Sequence, residues 1–237
     1  MSCFKLPPLP SSWMEELAPE FGKDYMKKLL ILGMMLSVFM LTVGAEKFSF
    51  QEYDPKSPSV VRVRDSISKL NGNSIDFPRI SAKNPKATKS IQKSMDKFVK
   101  KMTGDKNGKY YVTYDITTNN SKLVSILFTV ERTDRKDRTV ENYYSALTFD
   151  AVTGKELKIG DLLVSGYEKS LGTVFGDKVV QLSVPVNASF DGPAKKQEFY
   201  VQNTGIVFFF EPYRYTDFAD GQVFLPFELA DLRGLLR

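Results

Sequence analysis

Three consecutive phenylalanines, Phe208–Phe210, constrain the fold more than any other stretch of this 237-residue sequence. They follow an apolar segment at 198–201 and a turn at 203–205, a pattern that predicts a β-hairpin. Successive side chains of a strand point to opposite faces of its sheet, so three adjacent rings cannot all lie on one face. We therefore predict a strand that is covered on both faces and lies in the middle of its sheet.

Alternation of apolar and polar residues predicts further strands along the chain. They are expected at 48–53, 61–64, 75–80, 110–116, 123–130, 143–149 and 222–227. Pro78 places the third of these at a sheet edge or exit, because proline cannot donate a ladder hydrogen bond. Asn119 and Asn120 join two strands as a hairpin, since asparagine tolerates a positive φ. The charged segment 131–138 is expected to be a loop.

One long helix is predicted to start after Asn84, which is a suitable N-cap and is followed by Pro85 at the first helical position. Its apolar residues recur on one face, and lysines occupy the opposite face. The apolar positions are Ile91, Met95, Phe98, Val99 and Met102. Gly104 is expected to end the helix. The lysine face is interpreted as solvated, and contact with nucleic acid or an acidic polymer is the alternative.

The remaining helices are predicted to be short. A tight turn at 150–157, with Gly154 in the left-handed region, precedes a short helix capped by Asp161, and 228–236 closes the chain as a helix. Residues 167–190 are ambiguous, because Gly172, Gly176 and Pro185 are expected to break any long element. The predicted fold class is α+β, a mostly antiparallel sheet with hairpins packed on one long and a few short helices.

The region before this domain has the pattern of an export signal. Lys27 and Lys28 precede an uninterrupted apolar run at 29–41, and Val43-Gly-Ala45 places small residues where a signal peptidase cleaves. The apolar run is shorter than the roughly 20 residues that cross a bilayer core. We predict a cleaved signal peptide at 26–45 and a periplasmic or extracellular mature chain. The alternatives are an uncleaved membrane anchor and a buried core helix.

Residues 1–25 fit this pattern poorly and are interpreted as an extra N-terminal segment, either untranslated because synthesis starts at Met26 or fused from another source. The segment from Ser11 to Leu29, with Trp13 and the run EFGKDY, resembles the N-terminal helix of uracil-DNA glycosylases. The G-Q-D-P-Y-H loop and the histidine-containing loop that glycosylase chemistry needs are absent, so this resemblance implies no glycosylase activity.

The residue types present exclude several chemistries. The chain has no histidine, and its one cysteine is Cys3, ahead of the signal. A Ser-His-Asp triad, a histidine-ligated metal and a thiol nucleophile in the mature part are therefore excluded. No P-loop and no G-x-G-x-x-G motif is found. We expect no cofactor, no metal site, no nucleic-acid partner and a monomer.

Most of the mature chain resembles a known envelope domain. The relevant residues are the FDAVTGKEL turn at 149–157, GDLL at 160–163, FYVQNTGIVFFFEPY at 199–213 and GQVFLPFEL at 221–229. In this order they resemble the extracytoplasmic domain of the RsiV anti-sigma factors, which also accompanies the deacetylase domain of PdaC. The resemblance spans about 75–236 and implies an α+β domain with a binding role. We expect 46–105 and the RsiV-like 106–237 to form one compact unit.

A candidate contact patch lies in the long loop at 211–221. Long loops on a rigid sheet often carry binding residues, and tyrosine and arginine are frequent at binding hot spots. The predicted partner-binding residues are Tyr213, Arg214, Tyr215, Asp217 and Phe218. The carboxylates of the same loop offer a hydrolase or cation-binding alternative, although a solvated acidic turn is the simpler interpretation. They are Glu211, Asp217 and Asp220.

The sequence therefore predicts an exported, non-enzymatic envelope domain that binds a protein or a cell-wall glycan. A membrane-anchored, anti-sigma-like sensor with residues 26–45 uncleaved is the first alternative. An envelope hydrolase that uses the loop carboxylates is the second.

Overall fold

The computed structural model describes residues 47–51, 53–70, 72–187, 190, 192–194, 196–210, 215–216 and 222–237. Two sheets and three helices are formed within these ranges, which confirms the predicted α+β class. The strands are β1 (Val61–Leu70), β2 (Asn73–Ala82), β3 (Gly108–Asn119), β4 (Leu123–Asp134), β5 (Val140–Asp150), β6 (Glu198–Gln202), β7 (Gly205–Phe210) and β8 (Val223–Glu228). The helices are α1 (Pro85–Met102), α2 (Ile159–Leu162) and α3 (Glu168–Gln181).

The first sheet has the strand order β1-β2-β3-β4-β5, and every neighbouring pair is antiparallel except β2 and β3. A parallel pair needs a crossover connection, and α1 provides it. The parallel contact is short, because only Ser74 and Ile75 of β2 pair with β3. Pro78 lies beyond this contact and, among the described residues, pairs only with Asp65 of β1. Its missing N–H is tolerated there, because no second described strand lies beside it.

Helix α1 covers one face of the first sheet. The side chain of Asn84 accepts a hydrogen bond from the Lys86 amide, and Pro85 opens the helix, as predicted. Ile91 and Met95 are completely buried against the sheet. The ring of Phe98 lies 4.7 Å from that of Phe128 on β4. The apolar stripe predicted from the sequence is therefore the face that packs.

The second sheet has the order β6-β7-β8, with β7 in the centre and all six of its residues buried. Phe208 and Phe210 point toward α3, where the ring of Phe175 lies 4.8 Å and 6.1 Å from theirs. Phe209 points the other way and packs with Tyr200 and residues of the first sheet. The prediction of a central strand covered on both faces is confirmed.

Strand β6 also crosses the first sheet and bonds to its hydroxyl groups. The Val201 amide donates to Ser125 Oγ at 2.9 Å, and the Val201 carbonyl accepts from Thr117 and Thr118 at 2.8 and 2.9 Å. The hydroxyls of Ser125 and Thr148 lie 2.8 Å apart. Because buried backbone groups need partners, the hydroxyls of Thr117, Thr118 and Ser125 satisfy the amide and carbonyl of Val201 in the edge strand β6.

The turn after β5 has the geometry expected from its glycine. Gly154 has φ +73°, and a Cβ built there would lie 2.4 Å from the carbonyl oxygen of Ala87 in α1. Asp150 Oδ1 accepts from the amides of Val152 and Thr153. A side chain at 154 would therefore meet both backbone strain and a backbone clash.

Several local predictions are wrong in detail. The described residues of 48–53 form no strand; the Phe50 amide bonds to the Arg237 carbonyl, and the Phe48 and Phe50 rings pack edge to face. The charged segment 131–138 is not all loop, because β4 continues to Asp134 and pairs there with β3, while its pairing with β5 reaches Thr133. The turn at 119–120 uses the Asn120 side chain, which accepts from two amides, instead of a positive φ.

The helix predictions also need correction. Asp161 is the third residue of α2 and not its cap, although its carboxylate accepts from the Lys158 amide. Gly172 and Gly176 lie inside α3, because packing of Leu171, Phe175 and Val179 on the second sheet outweighs the low helix propensity of glycine.

The chain end forms successive turns instead of the predicted helix at 228–236. Gly234 has φ +82°, and residues 235–237 bond back to 162–164 through the Val164 and Arg237 amides. Pairing with this segment competes with helix formation. Within the described ranges, no helix has the length and apolar character to span a membrane.

Candidate functional site: a lysine-rimmed groove

A groove of about 350 Å³ lies where the end of α1, strand β5, the segment 156–159 and the start of β6 meet. Its buried apolar lining comes from Leu147, Leu157, Ile159 and Phe199. Its exposed rim carries three lysines, which are Lys101, Lys158 and Lys196. An apolar floor with a few charged groups at the rim is the usual composition of a ligand-binding site.

Backbone pairing positions the segment that forms one wall. The Leu157 amide donates to the Thr148 carbonyl at 2.8 Å, and Glu156 forms a bridge with Phe149. The chain after the Gly154 turn therefore runs beside β5, and Lys158 and Ile159 are carried to the groove by this pairing.

A second hollow of about 400 Å³ adjoins the first, and Ile159 and Gln197 line both. Tyr167 and Leu171 of the α3 region form its far wall. The buried Gln197 side chain donates to the Phe209 carbonyl at 2.6 Å and accepts from the Ala194 amide at 3.3 Å. Gln197 therefore holds in place the strip that the two hollows share.

The two carboxylates of the groove already have partners. Glu156 forms an ion pair with Lys158. Glu198 accepts hydrogen bonds from the Ser145 hydroxyl at 3.0 Å and the Ala146 amide at 3.2 Å. A general acid or base must exchange a proton with a substrate, whereas these contacts hold both carboxyl groups to the protein.

Asp161 supports the groove wall from behind. Partial burial opposes its ionisation, but hydrogen bonds from Lys155 Nζ at 2.5 Å and the Lys158 amide at 2.9 Å outweigh burial and lower the pKa of its carboxyl group. The ionised carboxylate thus orders the segment that carries Lys158.

The rim lysines differ in their surroundings. In the part of the chain that the structure describes, neither Lys101 nor Lys196 forms an ion pair, whereas Lys158 is paired with Glu156. No group of three histidine, cysteine, aspartate or glutamate residues that could hold a metal occurs among the described residues. The lining therefore combines three lysines and two glutamates, a sum of +3 − 2 = +1, beside an apolar floor, and this small positive excess suits a ligand with anionic groups.

Of the residues predicted from the sequence to contact a partner, the structure describes only Tyr215. Its side chain is 7% exposed, and its ring lies 5.1 Å from Phe210 and 5.3 Å from Phe190. This burial favours a packing role for the ring. Tyr213, Arg214, Asp217 and Phe218 lie outside the described residues, as do Glu211 and Asp220 of the hydrolase alternative, so the loop patch stays a prediction.

Sequence reasoning missed the groove. Lys101 was recognised only as one of many lysines on α1, and Lys158 and Lys196 belong to no motif. Their proximity depends on the pairing of β5 with 156–158 and on the crossing of β6 over the first sheet. No local pattern carries that information.

Comparison with known proteins identifies the fold. No protein-family model and no curated protein matches the sequence. A crystal structure of a DUF3298 family member from Bacteroides fragilis NCTC 9343 superposes with a TM-score of 0.57 at 13% identity, covering 77% of this chain and 96% of that one. A DUF3298 family protein from Pseudomonas aeruginosa PAO1 gives a TM-score of 0.50 at 10% identity, covering 76% and 95%.

These comparisons do not support the glycosylase resemblance of the N-terminal segment, and the resemblance to RsiV and PdaC stays a prediction. Structural similarity at such low identity establishes the architecture alone. The chain has the fold of the DUF3298 proteins, whose domain has no assigned function.

Proposed function

We propose that this protein is an exported, non-enzymatic domain that binds a protein or cell-wall ligand of the cell envelope in the lysine-rimmed groove. The observation that carries the proposal is the groove itself, an apolar floor under exposed lysines whose two carboxylates are engaged by the protein. The predicted resemblance to the RsiV extracytoplasmic domain, which has a binding role, agrees with it.

Binding is favoured over catalysis by the residue types available. The chain contains no histidine, and Glu156 and Glu198 have partners within the protein. A hydrolase would need a carboxyl group free to donate or accept a proton at the substrate. The loop carboxylates Asp217 and Asp220 remain the hydrolase alternative.

Charge reversal at the rim tests the groove. Lys158→Glu with Lys196→Glu should greatly reduce co-sedimentation of the protein with purified cell walls and its recovery of envelope proteins, while the melting temperature stays nearly constant. The matched control is Lys56→Glu with Lys69→Glu, two exposed lysines that line neither hollow and give the same net charge. Equal binding by the parent and the groove variant would refute the proposal.

Export is proposed from residues 26–45 and is tested separately. Mass spectrometry of the protein from its native host should find a mature N-terminus at Glu46. Intact residues 26–45 in the membrane fraction would instead favour the anchored, anti-sigma-like sensor.

A further inference from the structure

The positive charge of this protein is concentrated on one helix. Helix α1 contains six lysines and one acidic residue, Asp96, so its side chains sum to +6 − 1 = +5. The whole chain also has a formal net charge of +5, so all other residues together sum to zero. We call the six residues the lysine row; they are Lys86, Lys89, Lys93, Lys97, Lys100 and Lys101.

The lysine row is straight and exposed. At 3.6 residues per turn the six side chains fall within an arc of about 120°, and at 1.5 Å per residue they span about 22 Å along the helix. All six are exposed, and the buried residues Ile91 and Met95 lie on the opposite face.

No group of the described residues neutralises the row. Within the described ranges none of the six lysines forms an ion pair, and the single acid Asp96 accepts a hydrogen bond from Gln92 at 2.9 Å. The exposed charges therefore remain available to a ligand.

The arrangement also disfavours the isolated helix. The first turn carries lysine and no acidic residue, although the positive end of the helix dipole favours negative side chains there. Three pairs of lysines are spaced by four residues, at 89–93, 93–97 and 97–101, and like charges at this spacing repel each other. The helix dipole favours Lys100 and Lys101 in the last turn, so helix stability accounts for only part of the row. An anionic partner would relieve both unfavourable interactions.

We propose that the lysine row binds a flexible polyanion, a polymer with repeating phosphate or carboxylate groups. A single small anion would contact only part of a row about 22 Å long, so the length favours a polymer. The exposed large apolar side chains of the described residues all lie outside α1, so the row offers no aromatic platform for bases and no apolar wedge for a bilayer. Binding is then electrostatic throughout.

The row also leads to the groove. Lys101 belongs to the last turn of α1 and lines the groove together with Lys158 and Lys196. A polyanion on α1 can therefore continue into the groove. This continuation rests on the proposed function, whereas binding on α1 does not.

The test uses the complete chain with two soluble probes, inorganic polyphosphate and poly-L-glutamate, followed by fluorescence anisotropy at increasing salt. The row variant is K86Q/K89Q/K93Q/K97Q, in which glutamine keeps the helix propensity and the groove lysines remain. The control K56Q/K69Q/K136Q/K169Q removes four exposed lysines elsewhere and has the same net charge.

The row variant should lose at least about tenfold in affinity, and its slope of log affinity against log salt should fall by about 3, because each neutralised charge of a single-stranded polyanion contributes about 0.7. The control should keep nearly the parental affinity and slope. Circular dichroism of both variants should match that of the parent.

Three results would overturn the proposal. The first is that the parent binds neither probe. The second is that the row variant and the control lose the same affinity. The third is that the parent binds phosphatidylglycerol vesicles or an oligonucleotide much more tightly than either probe. The last result would indicate a membrane or a nucleic acid instead. If the row variant loses polyanion binding while its binding to cell walls still depends on Lys158 and Lys196, the lysine row and the groove are separate sites.

Discussion

The two sheets of this protein are covered by helices of opposite character. Helix α1 packs aliphatic residues and one phenyl ring on the first sheet and turns lysines to solvent. Helix α3 packs Phe175 among Phe208, Phe210 and Phe227 of the second sheet, with ring distances of 4.8, 6.1 and 5.2 Å.

The outer faces differ as well. Helix α3 contains two glycines, and at its end Val180 and Leu182 are 78% and 43% exposed. Its inner and outer faces therefore contrast weakly in polarity, whereas those of α1 contrast strongly. A helix is recognisable from sequence when its outer face is charged, and α3 shows that a few large aromatic contacts stabilise a helix without that contrast.

The largest expected effect is at the contact between the two sheets. Phe209 is 2% exposed and lies between the sheets, so Phe209→Asp would place an unpaired charge there. The cost should exceed about 4 kcal/mol and leave the chain unfolded by circular dichroism. Phe209→Leu, the control, keeps the site apolar and should remain folded. If Phe209→Asp melts cooperatively at the parental temperature, the stability of the two sheets does not depend on this contact.

The hydroxyl contacts between the sheets should have a smaller effect. Ser125→Ala leaves the buried Val201 amide without its acceptor, which should cost about 1–3 kcal/mol in the free energy of unfolding measured with urea. Ser81→Ala, at an exposed position of β2, should change it by less than about 0.5 kcal/mol. If the two variants unfold alike, the bond from β6 does not help to join the sheets.

Helix α3 should gain stability when a glycine is replaced. A Cβ on Gly176 would meet no atom within 4 Å, so Gly176→Ala should raise the free energy of unfolding by about 0.5–1 kcal/mol through helix propensity. Ser90→Ala on the exposed face of α1 should give a smaller gain, because serine is a better helix former than glycine. A loss of stability at Gly176 would mean that α3 requires a small residue there.

The last effect is expected at alkaline pH in the first sheet. Burial, the hydrogen bond to Asp65, and the charges of Asp65 and Asp76 raise the pKa of Tyr114 to about 12 from 10.0. Between these values the unfolded chain releases the proton while the folded chain keeps it, so the contribution of Tyr114 to stability is complete below pH 10.0 and declines toward about pH 12.

Tyr114→Phe isolates this titration. The stability difference between the parent and Tyr114→Phe should shrink as the pH rises through that window, as measured by urea unfolding. A difference that stays constant with pH would show that Tyr114 titrates alike in the folded and unfolded chain.

Much of the structure of α1 and of the turn after β5 could be predicted, because the sequence signals for these elements are local. Asn84 and Pro85 begin α1, Ile91 and Met95 mark its buried face, and Gly154 requires a left-handed turn. Each depends on neighbours within a few residues of the chain. The site could not be predicted in the same way, and the sequence pointed to the 211–221 loop instead of the groove.

By itself, the sequence determined the central position of β7, the amphipathic character of α1 and the absence of histidine chemistry. These follow from side-chain periodicity and residue types. Only the tertiary structure decided that Gly176 lies within a helix and that the chain end forms turns against 162–164. It also decided that Lys101, Lys158 and Lys196 meet at one groove. The physical reason is that packing and hydrogen bonds between distant segments outweigh local propensities of a few tenths of a kcal/mol to about 1 kcal/mol per residue.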